Sequence, residues 1–325
     1  MHRRTLLPLA ALVAAATAQT SDPWFSTFSI IAWDPATQEL GVAVESRAFG
    51  AGAAVPYAKP GVGAVATQAA ANRLYGPKAI ALLEKGRTPA EAVKAITDED
   101  PGRESRQVAV LDIQGRSAVF SGKTTLTHVY AGHVTGKNFS VQGNTLAGEE
   151  VVKATAAAFE SAKGSMAERF MAALDAGQSK GGDRRGMQSA GILVVRPIAF
   201  GSDSTVERIV DIRTDDAVDP FKELRRLLNL TMSGDHARLS AQLVKEGKLS
   251  EALTEQQKTV EMNPRNEGTH YGLAQRYAQN HEFVNAVNEL REALKIQPNL
   301  RQQTATDPLF TPLRDFPEFK RLINP

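Results

Sequence analysis

The stretch FSTFSIIAWDPATQELGVAVESR, Phe25 to Arg47, decides the fold class. From Thr27 to Trp33 the residues are β-branched, aromatic or small, and they follow an alternating strand pattern. Asp34-Pro35-Ala36-Thr37 is turn chemistry, and Leu40-Gly41-Val42-Ala43-Val44 resumes the strand. The stretch reads as a β-hairpin. The threonine at its start poses the functional question: Thr27 is either a strand-edge residue, which β propensity alone would put there, or a hydroxyl nucleophile.

Upstream of the hairpin, His2-Arg3-Arg4, the apolar run Leu6 to Ala16 and the A-x-A site Ala16-Thr17-Ala18 form a secretory signal pattern. The expectation is a signal peptide at 1–18, a short leader at 19–26, and export to the periplasm or the extracellular space. The run is shorter than the roughly 20 residues a membrane span needs. No later segment is long and apolar enough to span. Downstream, a strand at Gly63 to Gln68 precedes helices at Tyr75 to Glu84 and Pro89 to Thr97. Strands are expected at Gln107 to Ile113, Ser117 to Ser121, His128 to Ala131 and Phe139 to Gln142. Helices follow at Glu149 to Ala162 and Met166 to Ala176, then strands at Ser189 to Arg196 and Glu207 to Ile212, and a short helix from Pro220 to Leu230. Hairpins and paired helices, without strict strand–helix alternation, argue for stacked antiparallel sheets covered by helices and against a doubly wound parallel sheet.

The 325 residues, 42% hydrophobic and 23% charged, suffice for two cores, expected at 27–232 and 233–325. A net charge of +2, from 38 basic and 36 acidic side chains scattered along the chain, gives no basic face for nucleic acid. With no cysteine, disulfides, thiolate metal sites and a cysteine nucleophile are excluded. His133 has no second ligand at metal spacing, no nucleotide fingerprint occurs, and no G-x-S-x-G elbow is present. No cofactor or metal is expected.

Beyond Leu230 the chain becomes polar and helical, with a repeat. Leu239 and Leu273, Leu249 and Phe283, Ala252 and Ala286, Val260 and Leu294, and Pro264 and Pro298 each stand 34 residues apart, the period of a tetratricopeptide helix pair. Helices are expected at Ala237 to Lys245, Ser250 to Glu261, Thr269 to Gln279 and Glu282 to Ile296, with the tail around Phe310 and Phe319 covering the end. Such a module serves as a stabilising cap, as a contact in a homo-oligomer, or as a surface for a peptide or protein partner.

The stretches Thr27 to Ile30, Gly41 to Arg47, Gly61 to Gln68, Gln142-Gly143-Asn144 and Gly182 to Ala190 together resemble one family, the domain of unknown function 1028, assigned to the N-terminal-nucleophile (Ntn) hydrolase-like fold. The resemblance implies an α+β protein, a four-layer αββα sandwich, followed here by the all-α tetratricopeptide-like module. A more distant likeness is to proteasome-type Ntn hydrolases, in which an N-terminal threonine attacks while a carboxylate of an acid-Ser-Arg motif orients a lysine. The matching positions are Thr27, Glu45 in Glu45-Ser46-Arg47, and Lys59, with Asp183 and Ser189 resembling the pair that supports the amino terminus.

The chemistry implied is hydrolysis of a small amide or a peptide. A threonine hydroxyl needs a base, and its own free α-amine, with a reference pKa of about 7.7–8.0, can serve once the chain is cut between Ser26 and Thr27. Asn144 is the expected charge stabiliser. Arg47, Thr67, Gln68, Arg184, Arg185 and Gln188 fall in the same motifs and are the expected substrate-binding residues, Arg184 and Arg185 as a guanidinium clamp for a carboxylate. Each also has a plainer reading: Glu45 and Arg47 as a surface ion pair, Lys59 as a solvated loop lysine, Asn144 as turn chemistry, and Asp183-Arg184-Arg185 as a solvated loop. On those readings the protein is a non-catalytic exported scaffold whose repeats hold a partner.

Overall fold

The hairpin of β1 (Thr27–Asp34) and β2 (Glu39–Ser46) pairs antiparallel, from Thr27 opposite Ser46 to Asp34 opposite Glu39. In its turn the Asp34 carboxylate accepts the Ala36 amide at 2.9 Å. The computed structural model describes residues 27–127, 129–198 and 208–324; the expected signal peptide and leader, His128, and Glu207 lie outside the described residues. After the hairpin come α1 (Ala51–Ala54), β3 (Pro56–Lys59), β4 (Gly63–Ala69), α2 (Tyr75–Glu84), α3 (Pro89–Asp98), β5 (Arg106–Asp112) and β6 (Ser117–Ser121). Next are α4 (Lys123–Leu126), β7 (Gly132–Gly136), β8 (Phe139–Asn144), α5 (Glu150–Ser161), α6 (Met166–Ser179), β9 (Ser189–Val195), β10 (Arg208–Thr214) and α7 (Pro220–Lys245).

These strands make two antiparallel sheets. One has six strands in the order β10-β9-β2-β1-β8-β7, the other four in the order β3-β4-β5-β6. Strand alternation divides their side chains between separate cores. Ile31, Val42, Val44, Ala64, Ala66, Ala109 and Leu111 pack together between the sheets. Phe28, Ile30, Ala43 and Ile192 pack on the opposite face of the larger sheet with Phe159, Phe170 and Leu174 of α5 and α6. Val65, Val108 and Val110 turn to the other face of the smaller sheet, against Tyr75, Ile80, Val93 and Ile96 of α2 and α3. The helices start where the sequence supplies caps: Thr88 with Glu91 before α3, and Ser165 with Glu168 before α6, each close a capping box.

The helix layer approaches the sheet closely at Gly177, where a Cβ would stand 2.4 Å from Thr155 Oγ1 and 2.7 Å from Phe28 Cε2. Gly177→Ala is therefore expected to destabilise the fold by about 1–3 kcal/mol through overpacking, even though alanine is the better helix former. Urea unfolding checks this; a variant as stable as the parent would mean that α6 shifts freely.

Besides the short helices α1 and α4, and a further one at Leu300–Thr306, none of which was expected, three elements differ from expectation. The strand expected at His128 to Ala131 is found at Gly132–Gly136, pairing with β8. β3 is a short edge strand opened by a proline, a position where the missing N–H matters least, and four residues are too few for a clear alternation. The helices expected at Pro220 to Leu230 and Ala237 to Lys245 are one continuous helix: the junction Thr231 to His236 holds weak helix formers but no proline, and its one glycine, Gly234, costs about 1 kcal/mol.

The N-terminal part of α7 packs Phe221, Leu224 and Leu228 into the core beneath the larger sheet. Its C-terminal part joins α8 (Leu249–Met262), α9 (Glu267–Gln279) and α10 (Phe283–Ile296). The repeat is visible in side chains: His236 Nδ1 meets Glu255 Oε2 at 2.5 Å, and 34 residues on His270 Nδ1 meets Glu289 Oε2 at 2.7 Å. After α11 (Leu300–Thr306), Phe310 and Leu313, with Phe319 of α12 (Pro317–Ile323), are buried against α9 and α10. No helix among the described residues is long and apolar enough to cross a membrane.

Candidate active site

Register brings four of the polar residues into one row. Ser189 of β9 lies opposite Ser46 of β2, Ser46 opposite Thr27 of β1, and Thr27 opposite Asn144 of β8. All four stand on the face that looks toward the smaller sheet, since Phe28, Ala43, Val141 and Ala190, which alternate with them, face the helices. The Thr27 and Ser46 hydroxyls are 3.0 Å apart. Ser189 Oγ donates to the Ala48 carbonyl at 2.6 Å and accepts the Ala51 amide at 3.0 Å, so it fixes the turn after β2. Ser46 Oγ accepts the Ala48 amide at 3.0 Å.

The smaller sheet closes this row with glutamines. Gln68 Nε2 donates to the Thr27 carbonyl at 3.1 Å and to Gln107 Oε1 at 2.8 Å, while Gln68 Oε1 accepts from Ser29 at 2.6 Å. Gln107 Oε1 also accepts the Asn144 amide at 3.0 Å, and Gln107 Nε2 reaches Ser121 Oγ and the Gly143 carbonyl. Gln142 Nε2 donates to the Ala66 carbonyl at 2.9 Å. These side chains are buried, and paired amides of this kind hold two sheets in a single relative position.

A cleft of about 240 Å³ opens over Thr27 and Ser46. Phe49, Val55, Gln68 and Arg73 line it, with five alanines between them. Two residues that follow site positions hold left-handed backbone, Ala69 at φ 62° after Gln68 and Thr145 at φ 53° after Asn144. For a β-branched residue this is an outlier, and such strain persists only where surrounding structure over-determines it.

Three of the expected catalytic residues, Lys59, Glu45 and Asp183, lie elsewhere. Lys59 is the last residue of β3, opposite Gly63, whereas Thr27 meets the Gln68 end of β4, about 16 Å away at ~3.3 Å per residue. Its Nζ pairs with Glu84 Oε1 of α2 at 2.5 Å, on the outer side of the smaller sheet. Lys59 therefore does not reach Thr27. Glu45 is adjacent in sequence to Ser46 but points to the opposite face of the sheet, so it can orient neither Lys59 nor Thr27. It is not a surface ion pair either. Its carboxyl is fully buried, and neither oxygen has a hydrogen-bond partner of normal geometry among the described residues. Burial pushes the Glu45 carboxyl well above the usual carboxylate range, and the neighbouring Asp183 carboxylate adds to this, against a weaker pull from the Asp183 amide and Arg185.

Asp183 is buried and accepts from the Arg47 amide at 2.8 Å, the Arg185 amide at 2.8 Å and Arg185 Nη2 at 3.0 Å. It anchors the chain behind β2 on the Glu45 side. Arg47 Nη1 donates to Gln188 Oε1 at 2.7 Å, and Gln188 Nε2 donates to Asp216 at 3.1 Å. Arg47 and Arg184 are exposed, and neither they nor Arg185 and Gln188 line the cleft. Thr67 faces α2, where its hydroxyl accepts the Asn72 amide at 3.3 Å. Of the twelve expected site residues, Thr27 and Gln68 line the cleft and Asn144 and Ser189 support it. Ser46, Phe49 and Arg73 were missed. Ser46 was legible from the hairpin, since extending its pairing from a turn at 35–38 puts Ser46 opposite Thr27; the other two sit on loops with no periodic signal.

The profile of a family of unknown function (DUF1028) matches residues 27–224. A crystal structure of protein SPO2555 from Silicibacter pomeroyi, assigned to the same family, is similar to this chain with a TM-score of 0.56 and 31% identity. The likeness covers 62% of this chain and 84% of that one. No curated protein matches.

Proposed function

We propose that this chain, which belongs to the DUF1028 family, is an exported Ntn-type hydrolase of an amide or related C–N bond with Thr27 as its nucleophile. On this reading the two stacked sheets and their outer helices are the αββα sandwich of that fold class, and the repeats after β10 are a tetratricopeptide-like module. The observation that carries the proposal is the position of Thr27. It lies on a central strand, its hydroxyl stands on the floor of a cleft 3.0 Å from that of Ser46, and its carbonyl is held by Gln68. The family match also begins at Thr27.

The reaction requires cleavage of the bond between Ser26 and Thr27. The freed α-amine takes the Thr27 hydroxyl proton, directly or through Ser46, as Oγ1 attacks the substrate carbonyl. Collapse breaks the C–N bond, the amine leaves with that proton, and water hydrolyses the acyl-Thr27 ester. The Asn144 amide is engaged by Gln107, so we assign Asn144 to holding the network and the oxyanion to main-chain N–H groups. Lys59 and Glu45 have no step in this scheme.

Intact mass and N-terminal sequencing of the exported protein test the reading. A chain beginning at Thr27 supports it, and a Thr27→Ala chain that stays longer would show that the cut is self-catalysed. A homogeneous chain beginning at Gln19 would remove the mechanism. One observation favours a second reading, a non-catalytic scaffold: no lysine, histidine or carboxylate lines the cleft among the described residues, leaving the α-amine as the sole candidate base.

A further inference from the structure

Arg73 is the one charged residue that lines the cleft among the described residues, and no acidic side chain accompanies it there. Its guanidinium forms no hydrogen bond or ion pair with any described residue, and the side chain is exposed at the mouth. The loop that carries it is held firmly. The Ala70 amide donates to the Ser105 carbonyl at 3.0 Å, the Asn72 amide to Thr67 Oγ1 at 3.3 Å, and Asn72 Nδ2 to Asp100 Oδ2 at 3.0 Å. Asp100 in turn takes the Tyr75 hydroxyl at 2.8 Å and Arg106 Nε at 3.1 Å, and the Arg106 guanidinium also caps the Ala70 carbonyl. The backbone beneath Arg73 is thus fixed from three sides, so that a ligand at the rim has only the arginine side chain itself left to order on binding.

Apart from Thr27, Ser46 and Gln68, the rest of the cleft is short and apolar. Its wall is alanine and valine, Phe49 stands 73% exposed beside it, and 240 Å³ lies below the usual range of about 300–1,000 Å³ for pockets that take drug-sized molecules. Such a volume suits a small molecule. A guanidinium at the rim calls for a planar anion that it can grip through two N–H groups.

We infer that the cleft takes a small amide bearing a carboxylate, with a compact apolar group against Phe49 and the alanines and the carboxylate on Arg73. This deepens the hydrolase reading by assigning its substrate class, and it rests on that reading for the word substrate. The residue doing the selecting is a positioning group outside the four-residue row, on a loop that the arginine motif Arg184-Arg185 does not touch.

The test uses N-acetyl-L-alanine and its neutral isostere N-acetyl-L-alaninamide as probes, titrated by ligand-observed NMR against the chain carrying Thr27→Ala and released at position 27 by an added protease site, so that neither turnover nor an uncut leader intervenes. The carboxylate is expected to bind at least about tenfold more tightly than the amide, the ratio that one charge-assisted hydrogen bond supplies. Arg73→Gln in the same background is expected to bring the ratio to about one, and Arg73→Lys to keep part of it. Equal affinity for the two probes, a ratio unchanged by Arg73→Gln, or binding of neither probe would overturn the inference. Because the Thr27→Ala chain has no nucleophile, none of these outcomes bears on the hydrolase reading, which stands or falls on the amino terminus and on turnover.

Discussion

Thr27→Ala is expected to lower amide turnover by at least about 10³-fold while leaving the fold intact, the scale of loss seen when a covalent nucleophile is removed. The substitution deletes the hydroxyl and the γ-methyl group from the cleft floor. Ser46 loses one partner but keeps the Ala48 amide, so with the lost methyl the stability cost is about 1–2 kcal/mol. The Thr27 carbonyl, which Gln68 holds, is main chain and survives, and with it the glutamine network between the sheets. Turnover and unfolding free energy should therefore separate sharply. The measurement is hydrolysis of an amide library by the exported parent and by the variant, with urea unfolding of both. Thr27→Ser, which keeps the nucleophile and the contact to Ser46, should retain measurable activity. Turnover in Thr27→Ala within tenfold of the parent would move the chemistry to another residue.

The second large effect concerns stability and pH. Glu45 is buried with neither oxygen hydrogen bonded in normal geometry among the described residues, and its carboxyl is raised well above the ordinary value of 4.5. A raised carboxyl holds its proton in the folded chain after the unfolded chain has lost it. Its contribution is thus complete below pH 4.5 and declines as pH rises toward the folded value. The decline is about 1.4 kcal/mol per pH unit across that window. Glu45→Gln removes the titration, so the variant should gain on the parent by that slope above pH 4.5, after a constant offset for the amide it buries. Urea unfolding of both chains from pH 4 to pH 8 gives the difference directly. A difference that stays flat with pH would mean that Glu45 is ionised in the fold, with an interaction strong enough to offset its burial. Because Glu45 faces away from Thr27, the same substitution should leave any turnover nearly unchanged.

The contrast between these two residues shows how far the sequence could be read. Thr27 and Glu45 lie in one hairpin whose strands were evident from alternation, and the pairing of Thr27 with Ser46 follows from extending that hairpin. The same alternation puts Glu45 and Ser46 on opposite faces, which limits how far the Glu45-Ser46-Arg47 motif carries over: its serine reaches the nucleophile and its acid does not. Lys59 was legible as a lysine before a turn, but not as the end of an edge strand, because Pro56–Lys59 is too short to show a period and its pairing with Gly63 is a tertiary fact. Gln68 and Asn144 were found by resemblance, yet their task became visible only when Gln107, unremarkable in sequence, was seen to bind both.

What the sequence by itself determined is local: the hairpin and its register, most helices with their caps, the 34-residue repeat that returns as two matching His–Glu contacts, and the row position of Thr27. These follow from periods of two residues, of 3.6 residues and of one repeat, each expressed within a short span of chain. The tertiary structure alone decided which faces meet and what surrounds Thr27. Its carbonyl is held from 41 residues away, and the walls of its cleft come from the turn after β2 and the loop after β4. Contacts of that separation arise from sheet stacking and loop closure, whose geometry is set by the packing of both sheets together and leaves no periodic trace in the residues that make them.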